Sequence, residues 1–348
     1  MAAQWTAIIV NYNGAGFIEA CVAALEASTP PPAEIIVVDN GSSDDSLLEM
    51  HAFPRVQVLP QGRNLGFAGG ANVGINAVET KYAVILNPDV EVDPSFGRTV
   101  EHAFGSNPRL GAAGPLLLYP DGELIQHAGG HIERPLLTTA HHHYGEQLED
   151  AAFRERNVDF VTGGAMALRM DAVREAGGFD EELSPVYYED VDLCVRLAKL
   201  HWEVKFIPEI RALHHEGVTL QREPAYYSFL HRNRISFALK HLSPDEWSTS
   251  FVPAEIERLR AELHHAGHQD WLTVSGANAI EGLLRSRVEW SPAPALLPER
   301  FDAARKTLEE ARTSWDVPIR PPGARRPLVG PLMRFVHALG PRQFLDAA

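Results

Sequence analysis

The chain of 348 residues is 45% hydrophobic and 22% charged, enough to bury a substantial core and to hold one large domain with an appendage. A formal charge of −15 argues against a nucleic-acid binder, whose affinity comes from Lys and Arg neutralising phosphates. The opening residues lack a basic region followed by an apolar core, and no apolar run approaches the ~20 residues of a transmembrane helix, so the expected location is the cytoplasm. Cys21 and Cys194 show neither disulfide nor metal spacing and read as buried, reduced thiols.

Along the first half, strand and helix signals alternate. Residues 6–10 form a short apolar run rich in β-branched side chains, closed by the turn chemistry of Asn11, Tyr12, Asn13 and Gly14. Helical spacing of Ile18, Cys21, Val22 and Leu25 follows over residues 17–27. A second strand at 34–38 ends in Asp39, Asn40 and Gly41, and residues 43–51 read as a helix capped by Ser42 or Ser43. Residues 56–59 give a third strand, 68–78 a helix, and 82–86 a fourth strand. Continuous apolar strands separated by helices imply a mostly parallel central sheet covered on both faces, an α/β fold of nucleotide-binding style. In the second half, residues 111–119, 159–169 and 204–213 read as strands, and 170–177 and 191–200 as helices. Beyond Ser243 Pro-bounded helical stretches take over. The expected organisation is therefore a domain over 1–242, with halves meeting near residue 110, and a helical extension over 243–348.

Chemistry concentrates where apolar strands end. The strand at 82–86 runs straight into Asn87, Pro88 and Asp89, and the carboxyl ends of strands are where open α/β sheets bind ligands. Hard cations take carboxylate oxygens together with substrate phosphates, so Asp89 suits a metal-bound diphosphate; a plain acidic turn is the competing account. Asp39 has the position to accept hydrogen bonds from a base or ribose, or else to cap a helix. Residues 64–72, rich in Gly and Ala, suit close backbone approach to a phosphate at a helix start. Glu189, Asp190 and Asp192 follow Tyr187 and Tyr188. Acids are normal in a first helical turn, yet adjacent carboxylates also raise one another's pKa as a general base requires. His214, after the strand ending at Leu213, has the chemistry to complete a metal site begun by Asp89.

In order and rough spacing over about residues 5–242, these pieces resemble the family-2 inverting glycosyltransferases of the GT-A type, in particular their bacterial rhamnosyltransferase-like branch. The resemblance rests on residues 9–13, 38–44, 64–72, 86–89, on Gly163-Gly164-Ala165, on residues 177–181 and 189–192, and on His214 followed by Gly217. It implies a GT-A fold and a nucleotide-diphosphosugar donor, dTDP-, UDP- or GDP-linked. Val10, Asn11, Tyr12, Asn13, Asp39 and Asn40 would hold the nucleoside, with Asn64, Gly66, Phe67, Ala68, Asn72 and Asn87 lining the rest of the donor site. Asp89 and His214 would hold Mg²⁺ or Mn²⁺, and Asp190 would be the general base. Gly163, Gly164 and Glu189 would face the acceptor, a hydroxyl of a glycan or lipid-linked glycan in cell-surface polysaccharide synthesis. Asn87 stands where the family's general motif has a first aspartate, which makes the metal lean on the donor's own phosphates.

Some segments carry competing readings. Arg232 and Arg234 suit either phosphate charge or a structural ion pair. His141, His142 and His143 are expected in an exposed loop. Residues 320–348 hold five arginines against one acid, with Leu328, Leu332, Phe335 and Leu339 at amphipathic spacing; a peripheral contact with the inner membrane, or packing against the catalytic domain or a second subunit in a homodimer, are the alternatives. Two other functions share such a nucleotide half-domain. A sugar-nucleotide nucleotidyltransferase needs a basic residue in the first loop, which residues 10–14 lack, and a non-catalytic sugar-nucleotide-binding protein has no need of Asp190.

Overall fold

Strand β1, Trp5–Asn11, is buried along its whole length, as a strand flanked by helices on both sheet faces must be. In chain order there follow α1 (Ile18–Ala27), β2 (Glu34–Asp39), α2 (Ser46–Glu49), β3 (Val56–Pro60), α3 (Gly66–Ala77), β4 (Tyr82–Leu86), β5 (Val90–Val92), α4 (Phe96–Ser106) and β6 (Leu110–Leu118). Next come β7 (Ile125–His127), β8 (Gly130–Glu133), β9 (Thr138–His141), β10 (Arg156–Asn157), β11 (Ala165–Arg169), α5 (Met170–Ala176), α6 (Glu189–Lys199), β12 (Glu203–His214), α7 (Pro224–His241) and α8 (Pro244–Glu246). The computed structural model describes residues 3–151, 153–215, 224–255 and 257–258, and the amphipathic stretch at 320–348 lies outside them. The described residues group into two compact units, one within Met1–Ile132 and Thr139–Gln221, the other within Glu133–Thr138 and Arg222–Ala348. Among the described residues no helix is long and apolar enough to cross a membrane.

The sheet order is β10-β12-β6-β11-β4-β1-β2-β3, with β5 added to β12 and β7 to β6. Its first half is parallel, as the apolar runs imply: β1 pairs with β2 and β4, and β2 with β3. The second half is mixed. β11 runs antiparallel to both β4 and β6, and β12 parallel to β6 but antiparallel to β5. This arrangement decides where the chemistry sits. An antiparallel strand begins where its neighbours end, so the start of β11 lies at the same sheet edge as the ends of β1, β2, β4 and β12.

Several local expectations are corrected. Residues 43–51 give only the short α2 and a following 3₁₀ turn, because Ser42 and Ser43 bond back to the β1 loop instead of capping a helix. The strand expected over 159–169 is confined to β11, since Gly163 and Gly164 take other partners. The helix expected over 68–78 is α3, which starts two residues earlier, at Gly66. Its glycines serve packing: a Cβ on Gly74 would stand 2.3 Å from Ile8 Cγ2, and one on Gly70 2.7 Å from Val10 Cγ1. Close approach of α3 to β1 offsets the ~1 kcal/mol helix penalty of each glycine. Both cysteines are free and buried, and burial pushes each thiol above its ordinary range.

Two glycine variants separate packing from backbone effects. Gly74→Ala overpacks the α3–β1 contact and should cost about 1–3 kcal/mol. Gly105→Ala, on α4 with open space around it, should stabilise by up to about 1 kcal/mol. Thermal unfolding of the pair checks both signs; a neutral Gly74→Ala would contradict the packing role.

Candidate active site

Asn11 ends β1 in register with Asp39 at the end of β2. The side-chain amide of Asn11 donates to Asp39 Oδ1 at 3.1 Å, Ser42 Oγ at 3.1 Å and Ser46 Oγ at 3.0 Å. Asp39 also accepts from the backbone of Gly41 and Ser42, so the two side chains lock the β1 and β2 ends together. Asn11 is wholly buried and Val10 packs beneath α3. Asn11 Oδ1, also buried, has no hydrogen-bond partner among the described residues. Tyr12 and Asn13 are the partly exposed members. Asn13, at φ 54°, accepts from Ser43 N–H at 2.8 Å. Asn40 donates to Gly66 O at 3.0 Å, and Asn64 Oδ1 accepts from Gly66 N–H at 2.8 Å. Asn72 exchanges hydrogen bonds with the Phe179 backbone and donates to Glu181 Oε1 at 2.9 Å, which ties α3 to the 177–181 turn.

The step from β4 into Asn87, Pro88 and Asp89 is fixed on two sides. Asn87 N–H donates to Gly164 O at 3.0 Å, and His215 N–H donates to Asp89 O at 3.0 Å. The β5–β12 ladder sets Val90 opposite His214. Across that ladder His214 Nε2 stands 3.2 Å from Asp89 Oδ1, yet among the described residues this buried oxygen has no hydrogen-bond partner. The other imidazole nitrogen, Nδ1, is 2.6 Å from Gln126 Oε1. An amide oxygen only accepts, so Nδ1 carries a proton, and in the neutral ring Nε2 then keeps a lone pair. Asn87 Nδ2 lies 3.4 Å from Nε2. One orphaned carboxylate oxygen and one imidazole lone pair converging on one point fit a divalent cation. Among the described residues no cluster of three or more His, Cys, Asp and Glu side chains stands together.

Asp190 stands in the first turn of α6, entered through Tyr187 and Tyr188 at φ 78° and 70°. Such backbone in non-glycine residues persists only where its surroundings enforce it. Asp190 Oδ2 accepts from Gly163 N–H at 2.8 Å, and Oδ1 from Val191 N–H at 2.8 Å. A Cβ on Gly163 would strike the Phe67 ring at 2.9 Å, and one on Gly164 would lie 3.2 Å from His214 Cε1. Two consecutive glycines thus join the acid of α6 to the Asp89–His214 step. Ala68, next to Phe67, is buried in α3.

The two neighbouring carboxyls differ in environment. Burial raises the pKa of Asp190, while N–H bonds from Gly163 and Val191 pull it back. Burial, then the charges of Asp190 and Asp192, push Glu189 well above the carboxylate range. Both carboxyls are thus held above the ordinary carboxylate range, Glu189 the more strongly.

Two other expectations resolve differently. His141 is not in an exposed loop: it ends β9, with Nδ1 3.0 Å from Nδ1 of the buried His127. In the second unit, Arg234 forms a buried ion pair with Glu255 at 2.6 Å and donates to Leu136 O at 2.6 Å, and Arg232 lies over the Phe229 ring. The structural ion pair, not a phosphate contact, is what Arg234 makes. Sequence reasoning missed Gln126, which carries no motif of its own.

Residues 6–177 match the family described as Glycosyl transferase family 2. The N-acetylglucosaminyl-diphospho-decaprenol L-rhamnosyltransferase of Mycobacterium tuberculosis (strain CDC 1551 / Oshkosh) is 30% identical over 251 residues, 64% of this chain and 80% of that protein. The chain belongs to glycosyltransferase family 2. Solved structures share the GT-A fold of this family-2 glycosyltransferase. S. aureus TarS 1-349 in complex with UDP-GlcNAc matches with a TM-score of 0.55 at 15% identity, over 89% of this chain and 92% of that one. GalNAc-T7 with UDP, GalNAc and Mn2+ matches with a TM-score of 0.51 at 14% identity; the match covers 68% of this chain and about half, 51%, of that one.

The raised pKa of Glu189 has a stability consequence. A carboxyl held above its unfolded value contributes fully below that value, and its contribution is lost as pH rises towards the folded pKa. In this glycosyltransferase Glu189→Gln should therefore match the parent in Tm near pH 4.5 and exceed it near pH 8. Thermal melts across that range check the sign; a Gln variant less stable at pH 8 would contradict it.

Proposed function

We propose that this glycosyltransferase inverts configuration, depends on a divalent cation, and moves a hexose or deoxyhexose, foremost rhamnose, from a dTDP-, UDP- or GDP-linked donor to a hydroxyl of a lipid-linked glycan. The observation that carries this reading is the Gly163-Gly164 bridge. It sets a desolvated carboxylate, Asp190, beside the Asp89–His214 step on one sheet edge. The lipid-linked acceptor and the rhamnose follow from the mycobacterial relative's activity, and Mn²⁺ is named with the nucleotide in GalNAc-T7. Cell-surface polysaccharide synthesis at the cytoplasmic membrane face suits such an acceptor.

Mg²⁺ or Mn²⁺, held by Asp89 and His214, would neutralise charge on the departing diphosphate. Tyr12, Asn13 and the Asp39 corner hold the nucleoside and fix the donor's orientation. Asp190 takes the proton of the acceptor hydroxyl while its oxygen bonds to the anomeric carbon. The bond from that carbon to the diphosphate oxygen breaks in the same displacement. Attack opposite the leaving group inverts the centre, and the proton ends on Asp190. Glu189, in its protonated form, can donate a hydrogen bond to the acceptor.

Asp190→Asn should lower kcat by about 10²–10⁴-fold, the usual worth of a general base, while nucleoside diphosphate affinity stays within twofold. Steady-state kinetics with calorimetric binding reads both, and a fully active variant would overturn the assigned base. Asp89→Asn should weaken cation-dependent nucleotide binding at least tenfold and leave the cation-free binding unchanged.

A further inference from the structure

Strand β7 is three residues long, yet it breaks the regular alternation of a strand. Against β6 it pairs His127 with Leu117 but Ile125 with Leu118. Gln126 is therefore the extra residue of a β-bulge. Bulges re-aim a side chain and concentrate beside active sites. Here the re-aimed side chain reaches across β6 to the end of β12, where Gln126 Oε1 meets His214 Nδ1 at 2.6 Å, with both residues buried.

The β5–β12 ladder fixes the backbone of His214 but not its ring. An imidazole can rotate about two side-chain torsions and exchange tautomers, and only one combination turns a lone pair on Nε2 towards Asp89. The Gln126 oxygen selects that combination, because it accepts from Nδ1–H and cannot donate. Partners of this kind fix the tautomer and orientation of a metal-ligating histidine. Gly164 reinforces the placement, since a Cβ there would press on His214 Cε1 at 3.2 Å.

We propose that Gln126 is a positioning residue that holds His214 in its Nε2-ligating form, so that the cation step is preorganised before the donor arrives. The proposal rests on the reading of Asp89 and His214 as the cation-holding pair. Gln126 touches neither reactant; it acts through the imidazole.

Mn²⁺ affinity tests it on the full chain, from the loss of the free-ion electron paramagnetic resonance signal with UDP, dTDP and GDP in turn, corrected for nucleotide alone. Gln126→Leu should weaken Mn²⁺ binding 10–100-fold, as loss of such a partner does elsewhere. Gln126→Glu, which still accepts from Nδ1–H, should stay within about threefold of the parent. In a His214→Ala background, Gln126→Leu should add no further loss. If Gln126→Leu does not fold, Gln126→Asn, too short to reach Nδ1, carries the same expectation. Parent binding of Mn²⁺ with none of the nucleotides would sink the cation reading itself. Tight parent binding with an unchanged Gln126→Leu or Gln126→Asn would overturn this inference alone, as would a Gln126→Glu as impaired as the Leu variant.

Discussion

The constraint on which the site depends is the burial of Asp89. A carboxylate oxygen shut away from water without a hydrogen-bond partner is costly, and the described residues around it do not relieve that cost. They hold it in place. His215 N–H binds its carbonyl, Gly164 O binds the preceding Asn87, and the β5–β12 ladder brings His214 Nε2 to 3.2 Å. A structural ion pair would have closed into a hydrogen bond, as Arg196 does with the buried Asp192 at 2.7 Å. The open oxygen at Asp89 is what a cation-binding step needs and a merely structural one avoids.

Topology turns this local strain into a working arrangement. A sheet parallel throughout would bring only strand ends to the ligand edge. Inserting β11 antiparallel between β4 and β6 brings a strand start there too, and that start is Gly163-Gly164. Without side chains, the two residues let Phe67, Asp190 and His214 crowd around one segment of backbone. Helices α3 and α6 and the Asp89 step are thus fixed by the sheet rather than by flexible loops, the kind of support a preorganised site needs.

Much of this was legible in the residues. Apolar runs ending in Asn11, Asp39 and Asp89 named the sheet edge, because a buried strand that stops at a polar residue must stop where a ligand or water begins. What the residues could not show was which polar groups meet partners elsewhere in the fold. Asn11, Asn72 and Arg234 look like ligand-binding side chains, yet each meets partners distant in sequence. Strand β11 was overextended because Phe160 and Val161 carry a strand's apolarity into a segment whose glycines bond elsewhere. The helical spacing of Phe96, Val100, Ala103 and Phe104 on α4 was readable and went unread. Gln126 was not readable, since a bulge is a property of two strands' register and not of one residue.

The central claim is that Asp89 and His214 hold one cation against the donor's diphosphate. Anomalous diffraction from crystals grown with Mn²⁺ and a nucleoside diphosphate tests it most directly. The account predicts a single manganese peak within about 2.0–2.4 Å of both Asp89 Oδ1 and His214 Nε2, with phosphate oxygens completing the shell. Nucleotide bound at the Asp39 corner with the manganese elsewhere, or with none, would contradict it.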